Sequence, residues 1–119
     1  MLDHIGIKVR DFERSSEFYE HALEPLGWSC LLGWATSAGF GDAKPFFWIT
    51  SGEPTSPMHI AFAAKDRASV DAFHAAALAA GGRDNGAPGL RPDYHPNYYA
   101  AFVLDPYGHN IEAVCHNPA

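Results

Sequence analysis

Only two cysteines, Cys30 and Cys115, occur in 119 residues, and they stand at no zinc-binding spacing. Both fall in strand-like segments, so they are expected to be small buried core residues in a reducing compartment rather than a disulfide or a reactive thiol. Positive charge is also scarce: eight Lys and Arg against fourteen Asp and Glu leave a net charge of −6. No cluster of lysines or arginines offers a track for phosphates, which excludes nucleic acid as an expected partner. No apolar run approaches the length of a membrane span, and the start lacks the basic-then-apolar layout of a secretory signal. A membrane partner is therefore not expected, and a cytoplasmic protein is. Gly39-Phe40-Gly41 sits within a predicted hairpin rather than between a strand and a helix, so it is no dinucleotide fingerprint. Nucleophile-elbow and phosphate-loop patterns are absent as well.

What the chain does have is an internal repeat. Shifted by 55 positions, His4-Ile5 falls on His59-Ile60, Asp11 on Asp66, Phe18 on Phe73, Ala22-Leu23 on Ala77-Leu78, and Gly27 on Gly82. A self-match at fixed spacing predicts one supersecondary unit used twice. At this length the two units share one domain, residues 1–119, with a first module over 1–51, a linker over 52–57 and a second module over 58–119.

Each copy has the same periodicities. Leu2 to Val9 alternates Ile5, Ile7 and Val9 with His4, Gly6 and Lys8, the period of a strand with one apolar face. Asp11 is a suitable N-cap for a helix running to about Glu24, with Phe12, Ser15, Phe18, Tyr19, Ala22 and Leu23 on one stripe. Pro25 and Gly27 end it, and strands are predicted near Trp28–Ala35, Ser37–Gly41 and Phe46–Ser51. In the second copy the strand is Met58–Ala64, the cap Asp66 and the helix Ala68–Ala80, stopped by Gly81-Gly82. A strand near Gly82–Asn85 is expected to lead into a long loop, Gly86–Asn97, before a closing hairpin of Tyr98–Leu104 and Asn110–His116.

Two βαβββ units follow, an α+β fold. Each helix must cover one face of its sheet, so Ile5, Ile7, Val9, Phe47 and Ile49 should face the first helix. Ile60, Phe62, Ile111 and Ala113 should face the second. The same parity sends His4, His59, Trp48 and Glu112 to the opposite, concave side. Lys8 shares that side, and snorkelling to its rim is the expected behaviour.

The paired units, the two His-Ile openings and the closing Asp105-Pro106-Tyr107-Gly108-His109-Asn110-Ile111-Glu112 resemble the vicinal oxygen chelate superfamily. Its members include glyoxalase I, methylmalonyl-CoA epimerase, fosfomycin-resistance transferases, extradiol dioxygenases and bleomycin-resistance proteins. The resemblance covers essentially the whole chain. It implies two βαβββ modules forming an incompletely closed barrel around a cavity, often completed by exchange between subunits, and hence a homodimer. It also implies one divalent metal ion (Zn, Ni, Mn, Fe or Co) held by His4, His59 and Glu112. The fourth ligand position of glyoxalase I falls on Trp48, which can neither bind metal nor accept a proton. The pattern is thus closer to the two-histidine, one-carboxylate set of fosfomycin enzymes and dioxygenases than to glyoxalase I. A small substrate bound through vicinal oxygens, in a lyase, isomerase, transferase or dioxygenase step, is one implied function. The other is metal-free sequestration of a flat ligand, as in bleomycin resistance, with Trp48 as an aromatic wall and the net acidity favouring a cation.

The segment Arg91-Pro92-Asp93-Tyr94-His95-Pro96-Asn97-Tyr98-Tyr99 has no counterpart in the first copy. Arg91, with Tyr94 and Tyr99, is a candidate for holding substrate, Arg91 through a carboxylate, and His95 or Tyr98 for moving a proton. The same composition also suits a Pro-stiffened loop whose tyrosines cover the cavity edge. His21, His74, His109 and His116 are expected to be structural or solvated.

Overall fold

The computed structural model describes residues 1–119. The first module comprises β1 (Ile5–Val9), α1 (Phe12–Leu23), β2 (Ser29–Gly33), β3 (Ser37–Gly41) and β4 (Pro45–Ser51). The second comprises β5 (His59–Ala63), α2 (Arg67–Ala79), β6 (Arg83–Leu90), β7 (Tyr99–Leu104) and β8 (Asn110–Cys115). Both helices start at an aspartate. Asp11 accepts from the Arg14 amide at 3.2 Å, and Asp66 accepts from the Ser69 amide at 2.7 Å and its hydroxyl at 2.6 Å. Each of these carboxylates satisfies one of the amides that a first helical turn leaves free. A 3₁₀ turn at Glu24–Leu26 follows α1, and Gly27 closes it in the left-handed region at φ +87°, which a side chain would disfavour.

The two sheets have the same order, β1-β4-β3-β2 and β5-β8-β7-β6. In each, the first and last strands of the module pair in parallel and the remaining pairs are antiparallel. The fold is α+β, two βαβββ modules whose sheets do not close. Alternation sorts the side chains as the sequence predicts: Ile7, Val9, Phe47 and Ile49 are buried with Phe18, Tyr19, Ala22 and Leu23 of α1. Ile60, Phe62, Ile111 and Ala113 are buried with Val70, Phe73 and Ala77 of α2. Each large apolar side chain removed from water contributes about 1.5–3 kcal/mol, which is what holds a helix against each sheet.

These two layers form one continuous core. Phe62 meets Trp28, Phe46 and Phe47 edge-on at 5.5, 6.2 and 5.4 Å between ring centroids. The buried Tyr19 phenol of α1 donates to Asp105 of the second module, and the Tyr107 hydroxyl accepts from the Asp11 amide. Asp105 also accepts from the Tyr107 and His109 amides, both at 2.9 Å, which shapes the turn before β8. The modules therefore pack helix side to helix side, and the helix-free faces of both sheets point away from that core. A cleft of about 490 Å³ lies between the helices, lined by Glu17, Glu20, His21, Glu24 and three alanines. No helix is long and apolar enough to cross a membrane.

Several local expectations need correction. β6 continues to Leu90, where a loop from Gly86 was expected, so the true connection is residues 91–98. Two register shifts, at Asp84/Gly86 and Gly86/Gly89, break the alternation that would have marked the strand. Pro88 is tolerated there because β6 is the sheet edge. β1 begins at Ile5, so His4 lies just before the strand and not in it. Cys115 is buried as expected, but Cys30 is exposed, because β2 is an edge strand with no layer over it.

Candidate metal centre

Register places equivalent residues of the two modules in matching rows. Across the first sheet runs Gly6, Trp48, Gly39 and Leu32; across the second runs Ala61, Glu112, Phe102 and Gly86. Trp48 and Glu112 thus occupy the same structural place, one aromatic and one acidic. The Glu112 side chain is only 1 % exposed although it lies on the helix-free face. A buried carboxylate is costly unless both oxygens are hydrogen-bonded, and here both are. His59 Nε2 donates to Oε1 at 2.7 Å, and the Tyr98 phenol donates to Oε2. His59 itself is 52 % exposed and lies beside Phe102, the strand partner of Glu112.

The connection between β6 and β7 delivers Tyr98. Its ends are tied by the Arg91 amide donating to the Tyr98 carbonyl at 2.7 Å, and Tyr98 donates back to the His95 carbonyl at 3.1 Å. His95 Nδ1 accepts from the Asn97 amide at 3.0 Å. The Tyr98 ring stands edge-on to Tyr94 and to His116, each at 5.1 Å, and His116 meets His95 at 5.6 Å. Burial, then the hydrogen bond to Glu112, push the Tyr98 phenol up to about 12, so it stays protonated and able to donate.

The remaining candidates are dispersed. The Arg91 guanidinium donates to the Gly89 and Ala87 carbonyls at 2.8 and 2.9 Å and lies over the Phe102 ring, pinning the bulged end of β6. Tyr99 turns the other way from Tyr98, donating to Asp71 of α2 at 2.6 Å beneath Arg67, on the helix side. Trp48 lies flat across Gly39 and stacks on Trp34 at 6.0 Å and 20°. Trp34 is 62 % exposed and belongs to the same aromatic surface, although its place after an edge strand gives no periodicity that would mark it. His4 is exposed and its Nδ1 pairs with Asp3 at 2.7 Å. His109, by contrast, is fully buried, and its Nδ1 accepts from the Met58 amide at 3.1 Å, fixing the entry to β5.

Two of the three predicted metal ligands are adjacent. Ligand atoms each about 2.0–2.2 Å from one first-row ion lie roughly 3 Å apart, so His59 Nε2 and Glu112 Oε1 at 2.7 Å fit neighbouring coordination positions. Binding would replace the shared proton by the ion. Within one chain, however, no group of three His, Cys, Asp or Glu is gathered closely enough to hold a metal, so His4 does not join this pair.

Residues 1–113 match the model of the Glyoxalase/Bleomycin resistance protein/Dioxygenase superfamily. A glyoxalase/bleomycin resistance protein from Albidiferax ferrireducens T118 is 30 % identical, with a TM-score of 0.82 and 97 % of each chain covered. A glyoxalase/bleomycin resistance protein/dioxygenase family enzyme from Burkholderia phytofirmans PsJN is 18 % identical, with a TM-score of 0.75 and 98 % of each chain covered. Fosfomycin resistance protein FosX from Mesorhizobium loti is 21 % identical, with a TM-score of 0.72, covering 97 % of this chain and 91 % of that one. At these two lower identities the likeness is one of fold alone. No curated protein matches. The chain belongs to the glyoxalase/bleomycin resistance/dioxygenase superfamily.

Proposed function

We propose that this superfamily member is a metal-dependent enzyme that holds one divalent ion (Zn, Ni, Mn, Fe or Co) on His59 and Glu112, with the partner subunit's His4 completing the set. The observation that carries this is the His59–Glu112 pair, an accessible imidazole 2.7 Å from an otherwise buried carboxylate. Bound there, the ion would polarise two neighbouring oxygens of a small substrate, the Lewis-acid role of catalytic metals with open positions. His59 and Glu112 would hold it, beside the Phe102 ring on the neighbouring strand. Trp48 has no proton-accepting atom, which argues against an isomerisation needing a base at that position and leaves lyase or dioxygenase chemistry as the better fit.

A second copy is invoked for a physical reason. The helix sides of the two modules are consumed by each other, while Ala61, Ala63, Leu32 and Trp34 of the helix-free faces are exposed. Pairing the first module of one chain with the second of another would cover those faces and bring a His4 toward a His59–Glu112 pair. Titrating cobalt(II) into metal-free protein while measuring its mass in solution tests this. One ion per chain in a two-chain particle is expected; a single-chain particle, or substoichiometric metal unchanged by His59→Ala, contradicts it.

The Trp34–Trp48 stack favours a second reading, metal-free sequestration of a flat ligand, for which the net charge of −6 would select cations. It predicts quenching of tryptophan fluorescence by such a ligand in the presence of chelator. Binding that disappears when metal is stripped removes this alternative.

A further inference from the structure

We infer that Tyr98 is a positioning residue for the metal, and that the segment 91–98 exists in the second module to deliver it: by occupying Oε2 of Glu112, its phenol leaves the carboxylate one free oxygen, Oε1. This rests on the metal reading above and assigns a role to the one segment that distinguishes the second module from the first.

Three observations support it. Glu112 is buried, and its two oxygens are divided between two donors, His59 on Oε1 and Tyr98 on Oε2. The two donors differ in kind. His59 brings a ring nitrogen that can itself become a ligand, whereas Tyr98 reaches the carboxylate only at Oε2, from a ring packed between Tyr94 and His116. The Tyr98 ring is also held from two sides, by Tyr94 and His116, on a loop closed by its own backbone hydrogen bonds. Those contacts leave the phenol little freedom to swing toward a substrate.

The consequence is a count of coordination positions. A carboxylate gripping an ion with both oxygens uses two positions, and one restricted to Oε1 uses a single position. An ion held through Oε1 alone would keep open a position that a two-oxygen grip would fill, and a substrate offering two neighbouring oxygens would need such room. Tyr98 thereby preserves room for a chelating substrate, acting through Glu112 and not on the substrate itself. Partners of this kind around metal ligands typically change metal affinity by about 10–100-fold when removed.

The test compares wild type, Tyr98→Phe and Tyr94→Phe, using cobalt(II) as the probe. Isotope-edited infrared spectra of ¹³C-glutamate protein, with and without cobalt, read the separation of the two carboxylate bands, wide for one-oxygen and narrow for two-oxygen ligation. Wild type and Tyr94→Phe are expected to show the wide separation. Tyr98→Phe should show the narrow one, with calorimetric affinity lower by about 10–100-fold. A lost fold alone would lower affinity without narrowing the bands. The inference is overturned if the wild-type protein already shows two-oxygen ligation, a result that needs no variant to fold. It is also overturned if Tyr98→Phe keeps wild-type bands and affinity. Absence of any wild-type cobalt binding would overturn the metal reading as well.

Discussion

The two modules share a backbone and differ in what they place at one matched position. In the first, Trp48 is large and its cross-strand neighbour Gly39 is small; in the second, Glu112 is smaller and its neighbour Phe102 is large. The exchange keeps each row filled, because a sheet surface tolerates a bulky side chain only where an adjacent strand yields space. It also separates two chemistries. One module presents an indole stack, the other a buried acid with an imidazole on one oxygen and a phenol on the other. Duplication supplied the frame, and the exchange of one large and one small residue decided which half carries charge.

Substitutions can break that comparison in graded ways. The largest effect on stability should come at Phe62, the aromatic hub where the modules meet. Phe62→Ala is expected to cost about 3–5 kcal/mol in urea unfolding and to uncouple the halves. Next in size, His59→Ala should weaken metal binding by more than the roughly 100-fold that loss of a supporting partner costs, as measured by calorimetry. Trp48→Phe, at the matched place in the other module, should leave that affinity within about threefold, since a side chain without donor atoms cannot ligate. Gly39→Ala tests the space argument. Its added methyl would lie 2.8 Å from the Trp48 ring and 2.9 Å from Pro45, so a loss of about 1–3 kcal/mol and a changed tryptophan emission are expected.

The smallest effect compares the two caps. Hydrogen bonds from the Ser69 hydroxyl and amide hold the Asp66 carboxyl below the usual carboxylate range. Its contribution is therefore present above the unfolded pKa, near 3.9, and fades as pH falls through the lower folded value. Asp66→Ala should lower the melting midpoint by a few degrees at pH 7 and by less at pH 3. Asp11→Ala, which loses only a single 3.2 Å bond, should change it less than Asp66→Ala does at neutral pH.

Much of this was legible in the residues. The 55-residue repeat, the Asp caps and strict alternation in β1, β4, β5 and β8 identified both modules and assigned Glu112 to the face opposite Ile111 and Ala113. Alternation works there because those strands are regular and covered on one side. It failed in β6, where two bulges erase the period, and at Cys30, where an edge strand has no covering layer. The union of Tyr98 with Glu112 was not legible, since it depends on where a loop's end meets a strand fourteen residues on. Nor could a repeat say which faces of its two copies would meet. Alternation puts His4 and Glu112 on corresponding faces, but the Tyr19–Asp105 bond and the Phe62 cluster turn those faces away from each other within one chain.

Complementation between two chains, each lacking one of the histidines, tests most directly whether those faces meet across subunits. His4→Ala and His59→Ala chains, carrying different affinity tags, are refolded together and the mixed dimer is isolated for metal analysis. A site built from two chains predicts one tightly bound cobalt(II) per mixed dimer, because one of its two sites regains both histidines, while each parent dimer holds none. A mixed dimer that binds no cobalt, with wild type binding one per chain, would contradict it.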